Sequence, residues 1–194
     1  DSGTLTVEAM PQELGPPPPD PDHISPCLSP MQEEAAASLR HSVRAAGFGV
    51  ALLEGVTGSG KTEVYFEAVA EAVRTGRQVL IMMPEIALTA EFTARFEARF
   101  GAPPGLWHSG VSGRRRERLQ AAIASGEALV VAGARSALFL PYRNLGLIIV
   151  DEEHEAAYKQ EDGVAYHARD MAVVRGRLEP CPVVLASATP SLES

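Results

Sequence analysis

Two short stretches of this 194-residue chain carry residue types that can do chemistry together. The first is GVTGSGKT, residues 55–62, which fits the pattern G-x-x-x-x-G-K-[ST] without a mismatch. Glycines let a loop close tightly around an anion, with backbone N–H groups pointing inward as a nest. A helix opening directly behind it adds the positive end of its dipole. In such a loop Gly55, Val56, Thr57, Gly58, Ser59 and Gly60 wrap phosphates. Lys61 reaches the β- and γ-phosphates of a nucleotide, and the Thr62 hydroxyl ligates Mg²⁺. The competing reading is an ordinary glycine-rich turn with an exposed lysine. Against it, the chain uses fifteen Arg and only two Lys, and one of those two fills this slot.

The second stretch is LGLIIVDEEHEAAYKQ, residues 145–160, where an apolar run ends in Asp151, Glu152, Glu153 and His154. Alone, such a cluster reads as a solvated helix start, a metal site or the hydrolytic half of a nucleotide site. A phosphate loop needs a further carboxylate for Mg²⁺ at the end of a neighbouring strand, and the loop lies about 90 residues upstream. In that pairing Asp151 holds Mg²⁺ through water, and Glu152 polarises the attacking water as general base. His154 is a poor zinc ligand, because no second His or Cys lies at ligand spacing.

Positioning these groups requires strand ends. FGVALLEG reads as a buried strand running into the glycine-rich turn, and KTEVYFEAVAEAVRTG as the helix behind it. RQVLIMM, EALVVAG, LGLIIVDE and PVVLASA read as further apolar strands. LTAEFTARFEARFG and ARDMAVVRGRL read as helices between them. Ser29 suits an N-cap, Pro30 the first turn and Gly47 the stop of a leading helix. Apolar strands alternating with amphipathic helices predict an α/β fold, a parallel sheet with helices on both faces. Ligands of such sheets sit at the carboxyl ends of the strands. Phe92, Phe96 and Phe100 recur at helical spacing and read as core, and GRRRER, residues 113–118, as a solvated helix face.

Composition narrows the class. Hydrophobic residues make up 45% and charged residues 22%, which predicts a soluble, globular and cytoplasmic chain. No apolar run reaches the ~20 residues needed to span a bilayer, so no membrane partner is expected. The net charge of −8 is local: residues 1–34 hold seven acidic residues and no Lys or Arg, whereas the rest balances 18 acidic against 17 basic. Global charge therefore neither favours nor opposes a nucleic-acid partner. GPPPPDPDHISP, residues 15–26, reads as an acidic, proline-rich linker, within a tail of residues 1–27 preceding a domain of residues 28–194. Cys27 and Cys181 show no metal or disulfide spacing.

Other strand ends carry a recognisable set: PEIALT, residues 84–89; GARSALFLP, residues 133–141; YKQEDGVAYHARD, residues 158–170; and SATPSLE, residues 187–193. With GVTGSGKTEVY and DEEH in this order, they resemble the first RecA-like motor lobe of a superfamily 2 helicase. The nearest resemblance is to the bacterial primosomal replication-restart helicases, over about residues 28–194.

The resemblance implies a P-loop NTPase using ATP and Mg²⁺, with Lys61, Asp151 and Glu152 catalytic and Thr62 and Asp151 on the metal. It implies that Gln32 reads the adenine edge. His154, Ser187 and Thr189 would couple hydrolysis to DNA movement. Thr89, Arg135 and Ser136 would contact the backbone of single-stranded DNA, which positions a strand without reading its sequence. Tyr158, Lys159, Tyr166, His167 and Arg169 would form an aromatic-rich DNA-sensing loop, suited to single strands. Two departures stand out: Val164 and Ala165 fill a position where the family places arginine before the second Tyr, and GARS replaces the commoner GTRS.

The implied activity is ATP-dependent 3′→5′ DNA unwinding in replication restart, on single-stranded or forked DNA. Its partners would be a second helicase lobe, primosome proteins and single-strand-binding proteins. The second lobe and a cysteine-rich zinc module are expected outside this chain, so the fragment should bind nucleotide and hydrolyse poorly. Another superfamily 2 translocase, or a pseudo-helicase scaffold that binds DNA and proteins without turnover, stays open.

Overall fold

Ser29 begins the folded body as a helix cap. Its hydroxyl accepts from the Gln32 N–H at 3.4 Å while Gln32 Oε1 accepts from the Ser29 N–H at 2.8 Å, a reciprocal capping box. Helix α1 (Pro30–Ala45) follows and ends on Ala46 in the left-handed conformation, φ 51°, one residue before the glycine expected to stop it. The computed structural model describes residues 17–160 and 165–189. The tail of residues 1–16, Val164 and residues 190–194 lie outside that description.

Six parallel strands form the sheet: β1 (Gly49–Glu54), β2 (Gln78–Met82), β3 (Gly105–Trp107), β4 (Val130–Gly133), β5 (Leu145–Val150) and β8 (Pro182–Ser187). Their order is β1-β8-β5-β2-β4-β3. A separate two-stranded ribbon pairs β6 (Lys159–Gln160) antiparallel with β7 (Tyr166–His167). Helices α2 (Lys61–Arg74), α3 (Ala90–Phe100), α4 (Gly113–Ser125) and α5 (Ala168–Leu178) complete the regular elements. The chain first runs outward from β1 to β3 and then returns through β4, β5 and β8. Right-handed crossovers place helices on opposite faces for the two directions. Accordingly α1, α2 and α3 share one core with Val79, Ile81, Leu147, Ile149, Val184 and Ala186. Helices α4 and α5 share the other with Leu80, Met82, Ile148, Val150, Val183 and Leu185.

The carboxylate strand is not the immediate neighbour of the loop-bearing strand: β8 lies between β1 and β5. Strand β1 is also not buried as its apolar sequence predicts. It has β8 on one side only, and Val50 and Leu52 are nearly half exposed. Register pairs them with Val183 and Leu185, which places them on the α5 side. On that side Phe48 lies near Gly176 of α5, and Phe48, Val174 and Leu178 are all exposed. The opposite side of β1, Ala51 and Leu53, packs against the first core. Phe92, Phe96 and Phe100 are buried, with Phe96 and Phe100 4.4 Å apart.

The described part of the proline-rich segment rests on the body. The Asp20 N–H donates to Phe100 O at 2.8 Å, Arg99 donates to Pro21 O at 2.9 Å, and Arg74 pairs with Asp22 at 2.5 Å. Helices α1 and α2 are clamped by Arg44, which grips Glu71 through two hydrogen bonds of 2.8 and 2.9 Å. That contact holds the Glu71 carboxyl below its usual range, burial opposing. A depressed carboxylate stabilises fully above its unfolded value of about 4.5 and loses that contribution as pH falls through the lower native value. Arg44→Ala is therefore expected to lower the melting temperature at pH 7, with the gap to wild type closing toward pH 3.

Candidate nucleotide site and neighbouring strand ends

The carboxyl ends of β1, β8, β5 and β2 are tied together by main-chain bonds. The Gly55 N–H donates to Ser187 O at 3.2 Å, Glu153 N–H to Ala186 O at 3.0 Å, and Asp151 N–H to Met82 O at 2.8 Å. Around them stand the stretches singled out above.

Residues 55–60 turn from β1 into α2. Gly58 and Gly60 adopt φ of 78° and 82°, a region closed to most side chains. A Cβ on Gly60 would sit 2.4 Å from Gln32 Nε2. No side chain caps α2, so its first turn presents N–H groups toward the loop. Lys61, nearly buried, arches over the loop and donates to Gly55 O at 2.6 Å and Val56 O at 3.4 Å. Gln32 reaches in from α1, its Nε2 donating to Ser59 O at 2.8 Å. Its amide is thus shared between the loop and its own helix cap.

At the end of β5, Asp151 accepts from the Tyr65 hydroxyl at 2.9 Å on Oδ2 and from the Glu152 N–H at 3.0 Å on Oδ1. Burial pushes its carboxyl above the ordinary range, while the Tyr65 hydrogen bond pulls it down. Tyr65 is itself fully buried, and burial with the Asp151 charge raises its phenol far up, so it stays a donor. Tyr158 donates to Asp151 O at 2.5 Å and lies 3.1 Å from Met82 O. Among the described residues no three His, Cys, Asp or Glu converge on one point. The oxygens present, one carboxylate and the Thr62 hydroxyl, fit a hard cation that keeps several waters and takes phosphate oxygens, as Mg²⁺ does.

Glu152 has φ of 49°, the left-handed region rarely used by a residue with a side chain. Its side chain is about one third exposed. Strain of this kind gathers at functional turns. Glu152→Gly is expected to be more stable than Glu152→Ala by about 1 kcal/mol in urea unfolding, because glycine relaxes the backbone. Equal stability would show the turn to be unstrained. His154 Nδ1 stands 2.8 Å from Ser187 Oγ and 3.8 Å from Glu152, and the Thr189 N–H donates to Ser187 Oγ at 3.1 Å. Ser187 thus meets His154 because β8 lies beside β5, and Thr189 through a local bond two residues further on. The last four residues of SATPSLE fall outside the described chain.

The groups expected on DNA divide into two sets. Thr89 caps α3, its hydroxyl accepting from Phe92 N–H at 3.2 Å, and remains exposed. Ser136 is exposed and accepts from Trp107 Nε1 at 3.1 Å. Arg135 donates to Lys159 O, and Lys159 is exposed. Tyr166 packs edge-on to Phe139 at 5.4 Å, and His167 opens α5. A cavity of about 200 Å³ lies beside Arg135, lined also by Pro84, Glu85 and Tyr158.

Tyr158 and Arg169 form the other set and correct the expectation that they face DNA. Tyr158 is fully buried, and Arg169 is 5% exposed. Arg169 meets Glu153, itself inaccessible, at 3.2 Å and Asp170 at 2.9 Å. Both side chains brace the DEEH turn from within. Tyr65, not singled out from sequence, had one signal: it stands three residues after Thr62 on the same helix, so the two share a face.

A parallel sheet carrying a phosphate-loop sequence and an acidic turn at strand ends one strand apart has the frame of a RecA-like motor lobe. The chain belongs to the DEAD/DEAH box helicase family, whose model matches residues 29–194. It is 47% identical over 171 residues to the replication restart protein PriA of Rickettsia felis, covering 88% of this chain and 26% of that protein. With PriA of Bacillus subtilis the identity is 44% over 167 residues, 86% of this chain and 21% of that protein. The chain thus spans about a quarter of the length of these relatives. Its fold is similar to that of RecG bound to a three-way DNA junction, with a TM-score of 0.65 and 22% identity over 87% of this chain and 22% of that one. Among the described residues no helix is long and apolar enough to cross a membrane.

Proposed function

We propose that this chain is the ATP-binding motor lobe of a PriA-like, ATP-dependent 3′→5′ DNA helicase acting in replication restart. The observation that carries the reading is the 2.9 Å bond from Tyr65 to Asp151. It brings the helix opened by the phosphate loop onto the carboxylate strand, across the strand between them.

In this reading the loop of residues 55–60 and the first turn of α2 receive the phosphates, and Gln32 borders the base. Lys61 exchanges its two carbonyl partners for phosphate oxygens. Thr62 and Asp151 would hold Mg²⁺, which neutralises phosphate charge as it develops. Glu152, about one third exposed at the same turn, orients and deprotonates water. His154, Ser187 and Thr189 form the contact through which the sheet end senses that event. Thr89, Arg135, Ser136, Lys159, Tyr166 and His167 supply the single-stranded DNA face, with Tyr158 and Arg169 reassigned to bracing. Residues 28–194 are the lobe, and residues 17–27 lead into it. Unwinding, and any assembly with other replication proteins, is proposed only for a protein of the full length of these relatives. Without arginine fingers from a second lobe, hydrolysis here should fall short by ~10³-fold.

The test is titration of this chain with a fluorescent ATP analogue and Mg²⁺, displaced by unlabelled ATP. Saturable, displaceable binding with weak turnover is expected. Absence of binding by folded chain would count against an autonomous nucleotide lobe, and robust unwinding by this chain alone would overturn the division of labour.

A further inference from the structure

We infer that Tyr65 is a positioning residue that sets the magnesium-binding carboxylate of Asp151 through its hydroxyl. The inference rests on the nucleotide reading above and adds a residue to it.

A buried tyrosine is most simply a core side chain, and the Tyr65 ring is one. It is fully buried and meets Phe66 edge-on, 5.3 Å between centroids at 83°. The core asks only for the ring, which phenylalanine would supply. The hydroxyl has a different task. It donates to Asp151 Oδ2 at 2.9 Å, and Thr62 stands three residues before it on the same face of α2. One phenol therefore stands between the two oxygen ligands proposed for the cation, one on α2 and one at the end of β5. The other carboxylate oxygen is fixed by the Glu152 N–H at 3.0 Å. Each oxygen thus spends one lone pair inside the protein and keeps the other for water or a cation.

Tyr158 provides an internal comparison. Its hydroxyl also serves this turn from a fully buried site, but it meets main-chain carbonyls, Asp151 O at 2.5 Å and Met82 O at 3.1 Å. One tyrosine holds the backbone of Asp151 and the other its carboxylate. Removing the first should loosen the turn; removing the second should release the ligand. A carboxylate free to rotate must be ordered again at each binding event. Loss of an outer partner of this type costs 10- to 100-fold in metal affinity.

The experiment uses this chain as wild type, Tyr65→Phe and Tyr158→Phe. Binding of a fluorescent ADP analogue is measured without metal and then across a Mg²⁺ titration, with circular dichroism reporting the fold. For Tyr65→Phe, metal-free affinity should stay within about twofold of wild type, while the Mg²⁺ concentration for half-maximal effect rises about 10-fold. Tyr158→Phe should lower the melting temperature and move that midpoint less than Tyr65→Phe does. A Mn²⁺ titration followed by electron paramagnetic resonance should repeat the shift without any turnover. An unmoved midpoint in Tyr65→Phe, an equal loss with and without metal, or a chain that no longer folds would each overturn the inference, since the hydroxyl would then serve only the core. If wild type itself bound no nucleotide, the underlying reading would fail. Normal wild-type binding with an unshifted variant sinks this inference alone.

Discussion

Lys61→Ala is expected to weaken binding of a fluorescent ATP analogue by about 100-fold, beyond the range of an ordinary titration. The lysine is only 9% exposed and its ammonium already rests on two loop carbonyls, at 2.6 and 3.4 Å. It is thus held at the loop before any phosphate arrives. A hydrogen bond to a charged group is worth about 1.5–3 kcal/mol, and every 1.4 kcal/mol is tenfold in affinity. Removing it also leaves phosphate charge facing Asp151 without a compensating cation, since the Lys61 charge reaches that carboxylate. Lys61→Arg should not rescue fully, because a planar guanidinium cannot replace a compact ammonium in so enclosed a slot. The folded state should survive in both variants. Retention of affinity within tenfold in Lys61→Ala would mean that the loop binds anions through its backbone alone, or binds something other than a triphosphate.

Arg169→Ala is expected to cost about 3–5 kcal/mol of folding stability, the range for removing one partner of a buried ion pair. Glu153 is fully buried and Arg169 nearly so, and they meet at 3.2 Å. With that guanidinium gone, the buried Glu153 carboxylate loses the cation it meets at 3.2 Å. In urea the midpoint should fall accordingly. At about 2–4 °C per kcal/mol for a domain of this size, thermal unfolding should come roughly 10 °C earlier. The double variant Arg169→Met with Glu153→Leu should recover much of the loss, since it removes both charges rather than one. A cost below about 1 kcal/mol would place Arg169 back among surface side chains, where a DNA contact becomes its main employment.

The difference between what the sequence displayed and what it concealed follows the range of the interactions. Ser29 and Pro30 could be read as a helix start because a cap is closed within its first turn, although the part Gln32 plays in that cap was not. The loop of residues 55–62 could be read because its glycines, lysine and helix start are consecutive. Phe92, Phe96 and Phe100 were legible as core because helical periodicity puts them on one side. Strand β3 escaped notice because three residues, Gly105 to Trp107, are too few to show a period. Tyr158 and Arg169 misled because aromatic and basic residues in a polar stretch look like surface. Their burial depends on α5 and the DEEH turn closing on each other from opposite sides of the stretch. Strand β1 misled in the opposite sense. Its apolar residues are those of a central strand, but its place in the sheet depends on β8, more than 120 residues away.

That last feature bears on how the lobe behaves in a tube. Phe48, Val50, Leu52, Val174 and Leu178 are between 43% and 76% exposed, and beside them runs a strand edge with no partner among the described residues. A greasy strip next to open backbone donors and acceptors is the usual starting point of edge-to-edge aggregation. The limit on handling this lobe by itself is therefore colloidal rather than conformational. Its core is complete on both faces of the sheet, yet concentrated samples should grow cloudy while every molecule in them is still folded.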